Sequence, residues 1–150
     1  PPPSKRGDVF RQAALKALDT LSRNPDGFFL MIEGSNIDKA AHSNNLEEMM
    51  EELLDFDRTA GAVLDWASKH PGTLVVITAD HNTGAFALTG GSREQGEITG
   101  RFGSGSHDGV AVPVYAFGAG SGDFTGIYEN TDIFNKIMNA LKKGADKPVR

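Results

Sequence analysis

Three side chains able to bind a divalent cation, Glu33, Asp38 and His42, lie close together in the stretch FFLMIEGSNIDKAAH, Phe28 to His42. If the chain is helical from Ile37, Asp38 and His42 stand at i and i+4 on one face, with Cβ atoms about 5–6 Å apart. A carboxylate and an imidazole so placed can share one divalent ion. An acid and a histidine four apart also commonly form a plain solvated pair, so the weight falls on the rest of the chain. Asp80-His81 follows a β-branched run, and His107 sits in the glycine-rich stretch GSGSHDG. With no cysteine in the sequence, any metal must be held by Asp, Glu and His, and disulfides are excluded. Six residues, Glu33, Asp38, His42, Asp80, His81 and His107, are therefore candidate ligands. His70, beside Pro71 at a predicted helix end, reads as structural, and Asp108 as a turn residue.

Other elements must bring these residues together. Phe28 to Glu33 reads as a buried strand that stops at Gly34. Thr73 to Thr78 (TLVVIT) is a continuous β-branched run of the kind found in fully buried parallel strands. Between them, Leu46 to about Lys69 keeps helical spacing, with Ser43-Asn44-Asn45 ahead as a cap and His70-Pro71-Gly72 as a stop. Strand, long helix and strand predict a right-handed βαβ unit. In open α/β sheets sites form beyond the carboxyl ends of strands. Glu33 and Asp80-His81 then share one edge of the sheet, and the loop carrying His107 folds back over it. Upstream, Asp8 to Leu21 reads as a helix with Asp8 as its N-cap, followed by the turn Asn24-Pro25-Asp26-Gly27. Downstream, a short strand is expected at Ala85 to Leu88 and irregular chain from Thr89 to Ser106. Val110 to Phe117 reads as a strand whose Pro113 points to an edge or a bulge. A final amphipathic helix is capped by Thr131.

Composition bounds the rest. A chain of 150 residues, 39% hydrophobic and 23% charged, suits one globular domain. Its net charge of -5 and lack of a basic patch argue against nucleic acid as a partner. No apolar run approaches the ~18 residues that a membrane-spanning helix needs. Of the 18 glycines, 12 crowd between Gly84 and Gly126, marking a loop-rich region. The expectation is a single α/β domain over residues 1–150, a mostly parallel sheet with helices on both faces, and flexible ends at 1–7 and 144–150.

Three blocks resemble the alkaline phosphatase family. IEGSNIDKAAH is similar to the family's Glu-Gly-x-x-Ile-Asp-x-x-x-His motif, with both spacings kept. TLVVITADH resembles its strand ending in Thr-Ala-Asp-His, and HDGVAVPVYAFG its last histidine and following valine-rich strand. The resemblance runs in order from about Val9 to Lys143. It implies an alkaline-phosphatase-like fold and hydrolysis of phosphate monoesters at a site of two zinc ions and one magnesium ion, through a phosphoserine intermediate. Carried over by position, Asp38, His42 and His107 would bind one Zn²⁺, Asp80 and His81 the second, and Glu33 the Mg²⁺. Lys39 matches a position that in some members touches the phosphate through water. The resemblance further implies export to the periplasm or the medium, and a homodimer.

The family's serine nucleophile stands in an Asp-Ser-Ala type motif, with an arginine that grips phosphate and an earlier metal-bridging aspartate. No Asp-Ser dipeptide occurs in this sequence, and Ser35, Ser43, Ser104 and Ser106 read as turn and loop residues. No residue here is therefore assigned as catalytic. The chain reads as the C-terminal portion of the catalytic domain with an incomplete N-terminal half, its nucleophile upstream of residue 1, and inactive alone. Thr83 stands where many members have a histidine two residues after the Asp-His pair, and the stretch from His81 to His107 is short for the family. Rival readings are a phosphomutase or sulfatase-type hydrolase of the same superfamily, or a non-catalytic metal- or phosphate-binding module. The position of Glu33 favours the alkaline phosphatase pattern.

Overall fold

The computed structural model describes the backbone of residues 1–145 and the side chains of residues 1–143. The tail from residue 144, expected to be flexible, thus falls largely outside the described residues. Five helices are described: α1 (Pro3–Arg6), α2 (Val9–Leu21), α3 (Asn36–His42), α4 (Leu46–Ser68) and α5 (Asp132–Ala145). The strands are β1 (Leu74–Ile77), β2 (Asn82–Thr83), β3 (Ala87–Ser92), β4 (Glu97–Arg101), β5 (His107–Asp108) and β6 (Tyr115–Gly118).

Helix α4 is the beam to which the rest is attached, and its ends follow from its sequence. Asn45 caps it, accepting from the Glu48 backbone N–H at 3.1 Å, while its own amide donates to Glu48 Oε2 at 3.2 Å. The first bond satisfies a backbone donor that a helix start leaves unpaired, and the second ties the two side chains together. Gly61 does not interrupt the helix. Helix α2 lies along α4, burying Ala14 and Leu18. Asp8 precedes α2 as expected, but its carboxylate pairs with Arg11 in place of capping a backbone N–H. The turn before Phe28 forms as read: Gly27 donates to the Asn24 carbonyl at 3.1 Å with a left-handed φ of 86°. The N-terminal stretch expected to be flexible contains α1, whose Arg6 reaches α4.

The sheet departs from expectation. Every ladder is antiparallel: β1 with β6, β2 with β5 and β3 with β4. No parallel ladder, and so no predicted βαβ unit, occurs among the described residues. Phe28 to Glu33 pairs with no strand. It keeps a strand's period all the same. Phe28, Leu30 and Ile32 are half-buried, while Phe29, Met31 and Glu33 are exposed. The inner set packs toward α4, where the Phe28 ring meets Trp66 edge-on at 6.3 Å. Strand β1 is half-buried where full burial was expected, and β6 begins only at Tyr115, leaving Val110 to Val114 outside the ladder. The stretch 89–106, expected to be irregular, holds most of the β3–β4 hairpin. Gly96, at φ 66°, turns the chain there, and the alternation in Glu97-Ile98-Thr99 suits a strand despite the surrounding glycines.

A small core seats the site. Ala40, Ala41 and Met49 are buried, with Ile37, Leu46, Phe86 and Phe102 packed against them. Phe86 and Phe102, at the two feet of the hairpin, lie 4.9 Å apart between ring centroids. The hairpin is thereby anchored onto α3 and α4.

Candidate metal centre

Helix α3 is short, so its position depends on what it touches. Its two alanines let it approach α4 closely, and Gly34 enters beside Phe56, where an added Cβ would sit 2.8 Å from the ring. Asn36, the first residue of α3, donates to Glu52 Oε1 at 3.3 Å. Glu52 and Asp55 are buried carboxylates on α4, 5% and 4% exposed. Arg6 answers both, with Nη1 to Glu52 Oε1 at 3.0 Å and Nη2 to Glu52 Oε2 and Asp55 Oδ2 at 2.6 Å each. The two carboxylates hold the Arg6 guanidinium still more firmly protonated than usual. Buried charges require such partners.

With α3 fixed, Asp38 and His42 point to one place, and β5 brings His107 to meet them. His42 Nε2 lies 3.0 Å from His107 Nε2, and Asp38 Oδ1 lies 3.5 Å and 3.4 Å from these two nitrogens. A tetrahedral zinc site with bonds of about 2.0–2.1 Å has ligand–ligand edges of about 3.3–3.4 Å. A point about 2 Å from all three donors therefore exists, and one carboxylate with two imidazoles is a donor set that zinc takes. His42 Nδ1 lies 2.8 Å from the Gly105 carbonyl. A carbonyl only accepts, so Nδ1 carries a proton, and Nε2 is the ring atom turned to the cluster.

Asp80 and His81 form a second pair, with His81 Nε2 3.3 Å from Asp80 Oδ2. The His81 ring stacks on His107 with centroids 3.5 Å apart. Thr83, buried in β2, joins the two groups. Its hydroxyl donates to Asp38 Oδ1 at 2.7 Å and lies 3.1 Å from His81 Nδ1. A hydroxyl has one proton, and the acceptor-only carboxylate takes it. His81 Nδ1 must then donate, and its Nε2 is the atom turned to Asp80. The Thr83 hydroxyl, and then the imidazoles of His42, His107 and His81, hold the Asp38 carboxyl below the usual carboxylate range.

Two candidates stand apart from this convergence. Glu33 is exposed at the end of its unpaired segment and does not belong to the three-residue cluster. Lys39, exposed on α3, donates to Asn36 Oδ1 at 3.2 Å. Nothing in the residue order pointed to the Gly105 carbonyl as a partner of His42. Thr83 was visible only as a departure from a motif, and its bonding to both groups emerges from the packing of β2 on α3.

A family model for alkaline phosphatase matches residues 9–100. Alkaline phosphatase 4 of Bacillus subtilis (strain 168) is 29% identical over 202 residues, a match covering 89% of this chain and 44% of that protein. The solved alkaline phosphatase from the Antarctic bacterium TAB5 superposes with a TM-score of 0.87 at 40% identity, over 95% of this chain and 43% of that one. A His 135 Glu mutant of the TAB5 enzyme with Mg bound in its M3 site superposes with a TM-score of 0.83 at 39% identity, over 91% of this chain and 42% of that one. The chain thus spans less than half the length of each of these relatives.

Proposed function

The chain belongs to the alkaline phosphatase family, and on that premise we propose that it carries most of the metal ligands of an enzyme that hydrolyses phosphate monoesters. Asp38, His42 and His107 hold one zinc ion, Asp80 and His81 the second, and Glu33 the magnesium ion. When bound, zinc would supply Lewis-acid stabilisation of the charge that develops on oxygen during displacement at phosphorus. The chain's own residues supply orientation. The Gly105 carbonyl fixes the tautomer of His42, Thr83 fixes that of His81, and the ammonium of Lys39 offers donors to a phosphate oxygen. Glu33, a hard oxygen donor, suits magnesium better than an imidazole would.

The nucleophilic serine, which would carry the phosphoserine intermediate, lies outside these 150 residues. The chain alone therefore binds metal weakly and turns over little or no substrate. In the intact protein the segment Phe28 to Glu33 joins a mostly parallel sheet, which also covers the apolar side chains left open here. Export to the periplasm or the medium, and a homodimer, complete the reading; among the described residues no helix is long and apolar enough to cross a membrane.

The observation that carries the proposal is the convergence of Asp38, His42 and His107 on one point at zinc-like spacing. Assaying an aryl phosphate with zinc and magnesium tests it. Turnover is expected from a longer chain that includes an Asp-Ser-Ala motif, and none from the 150 residues. Enzyme-like rates from the 150 residues alone would overturn the assignment of the nucleophile. Absence of any zinc site from both chains would favour a non-catalytic module.

A further inference from the structure

One residue beyond His107, a carboxylate turns to a different task. Asp108 accepts four hydrogen bonds: Asn82 Nδ2 donates to Oδ1 at 3.1 Å and Oδ2 at 2.9 Å, Ala85 N–H to Oδ2 at 3.0 Å, and Val110 N–H to Oδ1 at 3.1 Å. A carboxylate offers about four lone-pair sites, so protein donors fill this one and leave no place for a metal. Successive side chains of a strand face opposite ways. While His107 faces Asp38, Asp108 faces the other side of β5.

What Asp108 ties together is otherwise poorly held. The β2–β5 ladder has two residue pairs, Asn82 with Asp108 and Thr83 with His107, too short to be stable by itself. Directly after β2 the chain turns through two left-handed residues, Gly84 at φ 80° and Ala85 at φ 45°. An alanine adopts that region rarely, and here its N–H is captured by Asp108. Gly84 must be glycine, because an added Cβ would lie 2.8 Å from Phe102 and 3.0 Å from the Ala41 carbonyl. One carboxylate thus secures the neighbouring strand, the strained turn behind it and the turn that leaves β5.

We infer that Asp108 is a positioning residue of the metal centre, clasping β5 to β2 so that His107 Nε2 reaches Asp38 and His42. The inference rests on the metal reading above. A residue that merely stabilised a loop would affect melting and leave metal coordination unchanged. A residue that places His107 must alter the coordination itself.

The test is zinc titration by calorimetry, with the visible absorption of bound Co²⁺ as a record of the ligand set, on the unaltered chain, D108A and D108N. D108A should bind zinc about ten- to a hundredfold more weakly and give an altered cobalt spectrum, while the far-UV circular dichroism of the helices is retained. D108N keeps one acceptor oxygen and should fall between the two. Zinc binding by the unaltered chain, with the same affinity and cobalt spectrum in D108A, would overturn this inference alone. No zinc site in the unaltered chain or in the longer chain that includes the Asp-Ser-Ala motif would overturn the metal reading and this inference with it. If D108A does not fold, N82A decides, since it removes two of the four bonds and leaves both turn donors. Weaker zinc binding by N82A supports the clasp, and unchanged binding refutes it.

Discussion

Around Asp38, imidazoles, a hydroxyl and a backbone carbonyl are paired with one another, whereas along Phe28 to Glu33 and the β1–β6 ladder apolar side chains stand open to solvent. Phe29 is 63% exposed, Met31 76% and Tyr115 63%. A shallow groove there is lined by Leu64, Val75, Ile77, Tyr115, Ala116 and Phe117. The chain as a whole exposes 10489 Å², against roughly 7,400 Å² for a self-contained globule of its 16.0 kDa. The difference teaches that the two regions draw on different resources. The Asp38 cluster is closed by short polar contacts within this chain, and the strand face leaves apolar side chains exposed.

Four experiments break or sharpen this contrast. The largest effect is expected from R6A, which leaves Glu52 and Asp55 buried without their cation. Removing one partner of a buried ion pair costs about 3–5 kcal/mol. Urea unfolding should show that loss, and a change under about 1 kcal/mol would mean that α4 does not depend on the clamp. A matched pair of methionines compares the regions directly. M49A, in the core under the site, should cost about 2–5 kcal/mol, and M31A, on the open face, less than about 0.5 kcal/mol. Equal losses would erase the distinction.

Next comes T83V, which keeps the shape of Thr83 and removes the hydroxyl between Asp38 and His81. Zinc competition with a chromophoric chelator should show affinity about ten- to a hundredfold weaker, with T83S near the unaltered chain. An unaffected T83V would unlink the two ligand groups. The smallest effect belongs to the periphery. Lys143 bonds to Asp123 at 2.7 Å and holds its carboxyl below the usual range. A depressed carboxyl contributes stability above its ordinary value of 3.8 and loses it as pH falls through the lower folded value. K143Q should therefore melt slightly below the unaltered chain at about pH 6, with the gap narrowing as the pH falls below 3.8. A gap that persists at low pH would exclude this ion pair as its source.

Much of the contrast can be traced to what was legible in the residues. The Asn45 cap, the length of α4, the Asn24–Gly27 turn and the i, i+4 placement of Asp38 and His42 were all readable. Each depends on groups only a few positions apart. The β3–β4 hairpin was missed because Gly90, Gly91 and Gly100 mask a strand period that Ile98 and Phe102 carry only faintly. The antiparallel partner of β1 was missed for another reason. A β-branched run such as TLVVIT states that it will be a strand and leaves open which strand will lie beside it.

By itself the sequence determined the chemistry available, namely two imidazole–carboxylate groups and a third histidine in a flexible loop, and the local elements that bear them. Only the tertiary structure decided that His107 meets Asp38 and His42, that Thr83 bonds to both groups, and that Glu33 and Lys39 remain outside the cluster. Local preferences act through neighbouring φ and ψ angles and near side chains, which the order of residues specifies directly. Convergence of groups some sixty-five positions apart is set by how helices and strands pack, and packing is a property of the whole fold.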